Sequence, residues 1–416
     1  MKKKVLSVFL LAMTMGLLSG CGDLIDPAVP VSTLAPKPVI IVEESESAEN
    51  KTESSAQASS EVEEEKPGEK VDANHQKGGE THTIGERVVK DGQMQSWLTG
   101  EWKDAEVAQR RNMAVMINNI QVSLPQYGIS KASIIYEAPV EGRITRLMGI
   151  FEDYDDLDHI GSVRSSRDYY IYEAMAFDSI YCNWGLARPW VEELINSDRI
   201  DNVSQALAGI NNGAPEAFDR ISRPGVNIEH TGYMFIKGYK DAVKRLGYKT
   251  QYRKTFKKAF EFADEGYLAT YDDCQDATLV YPGGKQSNAG GYGKHNPCFA
   301  YNADDNLYYR TQYGQKHIDE MTGEQLAVTN IIFKVCVGEE RLPDDPKYDY
   351  LAFGCTGTGD AYVFTNGKVI KGTWKRSGDY EPNLLYDKNG NEIVLNQGKT
   401  WICCIWDDYA QFMEWE

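Results

Sequence analysis

The chain has 416 residues, 42% of them hydrophobic and 11% aromatic, with a formal net charge of -18. That length leaves room for two domains beyond any tail. The acidic balance excludes nucleic-acid binding, which needs a basic footprint, and disfavours adhesion to anionic lipid headgroups.

Met1-Lys2-Lys3-Lys4 is followed by an apolar run from Val5 to Leu18 and then Leu18-Ser19-Gly20-Cys21. A basic start, a short apolar core and small residues before a cleavage point are the parts of a secretory signal peptide over residues 1–20. The run is shorter than the ~20 residues that cross a bilayer, so it predicts export rather than a spanning helix. The Leu-Ser-Gly-Cys ending resembles a lipobox, which implies a lipid on Cys21. Two acyl chains anchor a protein stably where one does not. The membrane is then the first expected partner, reached through lipid on the outer face of the cytoplasmic membrane.

Residues 21–92 are rich in Ser, Glu, Ala, Lys, Pro and Gly, with acidic groups such as Glu43, Glu44 and Glu63-Glu64-Glu65. Such composition buries too little surface to offset chain entropy and predicts a disordered acidic tether. Folded sequence is expected from about residue 93. Met113–Ile117, Ala132–Glu137, Thr145–Phe151 and Ser179–Asn183 read as strands. Arg167–Phe177, Trp190–Ile195 and Tyr233–Leu246 read as helices, and Lys254–Ala263 as a helical connection. Strands alternating with helices predict an α/β N-terminal domain over 93–250. Beyond it, short aromatic and β-branched runs are separated by turn residues, including Asn366-Gly367 and Asn389-Gly390, two hairpin signals. The expected fold class is therefore α+β, with a smaller β-rich, mostly antiparallel C-terminal domain over 251–416.

Seven cysteines besides Cys21 show no CxxC or CxxH spacing. They read as small core residues, with a single bridge as the alternative. The histidines have no metal-ligand spacing, so no metal is expected. The Gly-rich runs at 290–294 and 354–360 match neither a phosphate loop nor a dinucleotide fingerprint, so no cofactor is expected. His230, after Glu229, can enter a pocket, although a lone histidine is more often a satisfied structural one. The tryptophans, as core or stacking surfaces, leave both uses open.

Asn112–Asn119, Ser130–Arg146 (with Glu137-Ala-Pro-Val-Glu141) and Ile160-Gly-Ser-Val-Arg164-Ser165-Ser-Arg167 together resemble the N-terminal domain of the YerB-like lipoproteins, the DUF3048 family. Tyr308-Tyr-Arg310, Asn330–Phe333, Gly367–Lys375 and Gly398–Ile402 are similar to its C-terminal domain. The resemblance implies a surface lipoprotein, mainly of Gram-positive bacteria, with two adjoining domains. It implies no reaction. After the strand near 182, Asn183-Trp184-Gly185 stands where the family leads one to expect a histidine, so no role of that histidine carries over.

The densest polar constellation is Glu137, Glu141, Arg143, Arg146, Arg164, Ser165, Arg167 and Asp168, with Asn118 and Asn119 at a strand end. If residues 134–143 are extended, Glu137, Glu141 and Arg143 share a face. Arginines in short segments after strands fit a cleft at the strand ends of an α/β sheet, and their planar forks suit carboxylate, phosphate or sugar hydroxyls. The expected function is recognition of an anionic or hydroxylated wall ligand through this cluster. Three alternatives stay open. The cluster can be an Arg–Glu network that locks the β–α turns. Glu137 and Glu141 can form the acid and base of a hydrolase of wall glycan or peptide, although adjacent arginines favour two ionised carboxylates. The chain can also be a scaffold for an envelope protein.

Overall fold

The computed structural model describes residues 81–84, 87–286, 291–341 and 350–416. The signal peptide and Cys21 lie outside them, as does most of the expected tether. Ordered structure begins earlier than residue 93, in a hairpin of Thr81–Ile84 and Arg87–Lys90. Asp91 and Gly92, both with positive φ, turn that hairpin into Gln93–Gln95. Val89, Met94 and Ala108 close a small core there. The hydrophobic content of 87–90 is enough for a strand once a partner strand covers it.

The chain is mostly strand with few helices. Eleven strands form one mixed sheet. In chain order they are β1 (Met113–Ile117), β2 (Ile134–Val140), β3 (Ile144–Phe151), β4 (Ile180–Asn183), β5 (Asn202–Ser204), β6 (Gln275–Asp276), β7 (Asn330–Cys336), β8 (Gly357–Thr365), β9 (Lys368–Arg376), β10 (Leu384–Asp387) and β11 (Thr400–Trp406). Their spatial order is β5-β4-β1-β3-β2-β11-β7-β8-β9-β6, with β10 also paired to β9. The hairpins β2–β3 and β8–β9 are antiparallel, whereas β11 runs parallel to both β2 and β7. The Asn366-Gly367 connection is the tight hairpin expected, with φ of 49° and 71°. Gly367 also lies so close to Tyr301 that a Cβ would come within 2.8 Å of the ring.

The pairing of β11 with β2 alters the two-domain expectation. The break near residue 250 is no gap between sheets, because β11, close to the C-terminus, hydrogen-bonds along β2 of the first segment. Two helices pack on opposite faces: α1 (Asp168–Ala176) and α2 (Ile236–Leu246). On one face, Tyr136, Ala138, Met148, Val363 and Ile402 meet Tyr170 and Ala174 of α1. On the other, Val115, Leu147, Phe333 and Trp401 share a core with Tyr239 and Ala242 of α2 and with Val280, Phe299 and Tyr308 of a second, six-stranded sheet. The strands thus alternate between two buried faces, which is why β1 and β11 are apolar at every second and most intervening positions. Glu173 ties α1 to the C-terminal strands through Lys334 Nζ at 2.7 Å and Asn383 Nδ2 at 2.8 Å.

Two helical expectations fail. Tyr233–Phe235 is strand, paired on one side with Phe218–Arg220 and on the other with His159–Gly161, and the helix begins only at Ile236. Pairing on both edges outweighs a helical spacing of aromatics. Residues 254–263 hold no helix; Phe256 stacks on Tyr252 and against Trp97, and Glu261–Phe262 pairs with Val394–Leu395. The apolar spacing there serves tertiary packing rather than one helix face.

Candidate functional site

Beyond the end of β1, residues 162–167 run as an extended segment held at both edges. Asn118 N–H donates to the Ser162 carbonyl, Arg164 N–H to Met116, and Ser166 N–H to Gly185, all within 3.0 Å. This brings Arg164, Ser165 and Arg167 over the N-terminal part of β3, where Arg146 lies. Gly185 permits the approach: its φ is 121°, and a Cβ would stand 2.2 Å from Ser165 Oγ.

The three guanidiniums differ in their compensation. Arg167 is clasped by Glu141, with Nε 3.0 and 3.1 Å from the two carboxylate oxygens and Nη2 bonded to Oε2. Burial opposes ionisation of Glu141, but the bond and charge of Arg167, with the charge of Arg146, outweigh it and hold its pKa below the usual range. Arg164 donates from Nη1 to the Glu229 carbonyl at 2.7 Å, and its Nη2 is 3.7 Å from the exposed Glu229 carboxylate. Its Nε is buried without a hydrogen-bond partner. Arg146 is 6% exposed and donates once among the described residues, from Nη1 to the Ser165 carbonyl at 2.8 Å. No carboxylate among the described residues lies within ion-pairing distance of it. Burial, then the charges of Arg167 and Arg164, push its pKa down to about 9. Three positive charges therefore meet one bonded carboxylate and one distant one.

Asn118 borders this group. Its Nδ2 donates to His230 Nδ1 at 3.1 Å. Burial and the charge of Arg164 lower the pKa of His230, so the ring is neutral and accepts. His230 and Glu229 were not among the expected site residues. Their one sequence signal was adjacency, because the loop that carries them is brought to Arg164 by tertiary packing.

Two expected members leave the site. The β2–β3 hairpin turns through Glu141, Gly142 and Arg143, the last two with φ of 75° and 55°. The extended run stops at Val140, so Arg143 is exposed on the turn and does not share a face with Glu137 and Glu141. Glu137 is fully buried on the face toward the second sheet. Its carboxylate accepts Arg310 Nη2 at 3.0 and 2.9 Å, Trp401 Nε1 at 2.9 Å and Thr145 Oγ1 at 2.7 Å. Arg310 Nη1 in turn donates to His317 Nδ1 at 2.6 Å, and His317 Nε2 to Gln126 Oε1 at 2.7 Å. Glu137 thus fastens the two segments together and is closed to any ligand. With Glu141 held by Arg167, the acid–base pairing of the two glutamates loses its geometry.

The described cysteines are free, and four core positions, Cys182, Cys336, Cys403 and Cys404, are at most 1% exposed. Trp374 and Trp401 are core; Trp184 is half-buried with the Arg220 guanidinium 4.4 Å above its ring. Among the described residues no His, Cys, Asp and Glu group is arranged to hold a metal, and no helix is long and apolar enough to cross a membrane.

A mixed sheet shared by two sequence segments, sewn by a buried Glu–Arg network, matches a family in both halves. The family described as "Protein of unknown function (DUF3048) N-terminal domain" matches residues 98–249, and its C-terminal domain matches 289–402. The chain belongs to this family. It is similar to the Bacillus subtilis (strain 168) protein named "Putative lipoprotein YerB", 28% identical over 306 residues, which cover 73% of this chain and 84% of the relative. The crystal structure of the YerB protein from Bacillus subtilis superposes with a TM-score of 0.61 at 25% identity, covering 77% of this chain and 98% of that one.

Proposed function

We propose that this protein is a lipid-anchored, extracytoplasmic binding protein, held at the outer face of the membrane through Cys21, whose Arg146–Arg164–Ser165 cluster takes an anionic or hydroxylated cell-wall ligand. The name of the Bacillus relative supports the anchoring, and the Leu-Ser-Gly-Cys sequence supplies its site. One observation carries the ligand reading: Arg146, nearly buried, has a carbonyl as its bonded partner and no carboxylate within ion-pairing distance among the described residues, so the charges of Arg167 and Arg164 on it outweigh that of Glu141. A closed Arg–Glu lock would match each buried cation with a carboxylate, since an uncompensated buried charge is destabilising. The mismatch is what an anionic ligand would relieve.

The test uses the chain from Gly22 onward, without lipid, mixed with purified cell walls, with pelleted protein and released fragments measured together. Arg164→Ala is expected to weaken pelleting about 10- to 100-fold, the loss of one or two charge-assisted hydrogen bonds. Lys237→Ala, on the exposed side of α2, should bind as the parent does. Equal pelleting by Arg164→Ala and the parent would refute the cluster as ligand site. Released fragments would turn the reading to a hydrolase, and protein crosslinks without wall binding to a scaffold.

A further inference from the structure

Within the cluster, the balance of charge and the steric access narrow the ligand's chemistry. The Arg167 charge is matched by the Glu141 carboxylate, which grips it with both oxygens. Arg164 is partly offset by Glu229, whose side chain is 60% exposed and stands 3.7 Å away. Arg146 is offset by nothing ionised within bonding distance among the described residues. At least one positive charge is left over, since Arg220, whose charge also acts on Arg164, adds to these three. Three donors remain free to answer it. They are the rest of the Arg146 fork, the buried and unpartnered Arg164 Nε, and the Ser165 hydroxyl, which has no partner among the described residues. The hydroxyl stays open because position 185 is glycine, where any Cβ would stand 2.2 Å from Oγ.

We propose that Arg146, Arg164 and Ser165 form a subsite for a single terminal carboxylate of the ligand, which rests on the ligand-binding reading above. A planar fork meets the two coplanar oxygens of a carboxylate. Access discriminates further. Arg146 is only 6% exposed, so the group that reaches it enters end-on. A carboxylate ends its chain and has one substituent to lead away. A phosphodiester lies within its chain and would have to carry two arms past Arg164 and Ser165.

The Arg146→Met variant separates this subsite from a structural fastening by the sign of its effect. Met keeps the apolar stem and removes a buried charge that lacks a carboxylate. Without ligand the variant is expected to melt at least as high as the parent, by about 2–4 °C more. In the parent, replacing chloride by acetate at constant ionic strength should raise Tm in a saturable way, since a ligand that binds the folded state stabilises it. Dimethyl phosphate and sulfate should raise it less, and Arg146→Met should respond to none of them. A Tm several degrees below the parent would make Arg146 a structural fastening and overturn the subsite. Dimethyl phosphate or sulfate acting as strongly as acetate would overturn the carboxylate. Wall binding kept by Arg146→Met but lost by Arg164→Ala would retain the binding protein and remove this subsite. A saturable acetate effect that depends on Arg146, in a chain that binds no wall, would retain the subsite and remove the wall ligand.

Discussion

Glu137→Gln is expected to destabilise the folded chain by about 3–5 kcal/mol, the usual loss when one partner of a buried ion pair is removed. The Gln amide fits the space but leaves Arg310 charged and fully buried, with its second Nη bonded to His317 rather than to a carboxylate. Trp401 Nε1 and Thr145 Oγ1 would also lose an ionised acceptor. The Arg310 guanidinium lies 4.4 Å over the Trp401 ring, so its position is set from two sides and it has little room to find water. Arg310→Met should show a loss of similar size, because it leaves Glu137 uncompensated. The double variant should be more stable than the sum of the two losses implies, since a neutral core removes both charges together. Urea unfolding of the four proteins closes the cycle. Single losses below about 1 kcal/mol, or strict additivity, would contradict a fastening role for this pair.

Acidification below pH 6.5 is expected to weaken the fold through its buried histidines. Burial, and then the Arg310 charge, push the pKa of His295 down to about 3 and that of His317 well below its ordinary value. Geometry gives the same answer. His317 Nδ1 accepts from Arg310 and His295 Nε2 accepts the Thr145 N–H at 2.9 Å, so a second proton on either ring would face a donor. In the unfolded chain both rings bind a proton near pH 6.5. Between that value and about 3 the unfolded state therefore holds more protons than the folded state, so stability falls as pH falls. Each histidine contributes a slope approaching about 1.4 kcal/mol per pH unit once it is protonated in the unfolded chain. His230, also lowered, adds in the same direction. Below about 4.5 the depressed Glu141 and Glu173 add their own losses, so the histidines are best read between pH 4.5 and 6.5. Unfolding free energies over that range should give a smaller slope for His317→Gln than for the parent. An unchanged slope would mean that His317 is not held neutral in the fold.

The four strands of the first segment and the Asn366-Gly367 hairpin were legible because their causes are local. Alternation and apolar runs bias the backbone over a few residues, and an Asn-Gly pair tolerates the positive φ that a two-residue turn requires. The family was legible for a related reason: its motifs lie in order along the chain, whatever their spatial arrangement. The lipoprotein signal and Cys21 are likewise chain-order information.

The site was only half legible. Arg146, Arg164, Ser165 and Arg167 could be grouped because they lie in short segments next to strand ends. Their inequality could not be read, since which arginine Glu141 takes depends on how the β2–β3 turn and the start of α1 meet. Arg143 fell out for a local reason, a left-handed turn residue, that its spacing from Glu137 concealed. Glu137 fell out for a nonlocal one: Arg310 and Trp401 lie 173 and 264 positions away. The parallel pairing of β11 with β2 brings Trp401 there, and packing of the second sheet on that face brings Arg310. By itself the sequence determined the strand-forming runs, the turn chemistry and the family, all carried by neighbouring residues or by their order. The tertiary structure alone decided which charges are paired and which is left over, because compensation of a buried charge depends on groups that only the folded sheet brings within bonding distance.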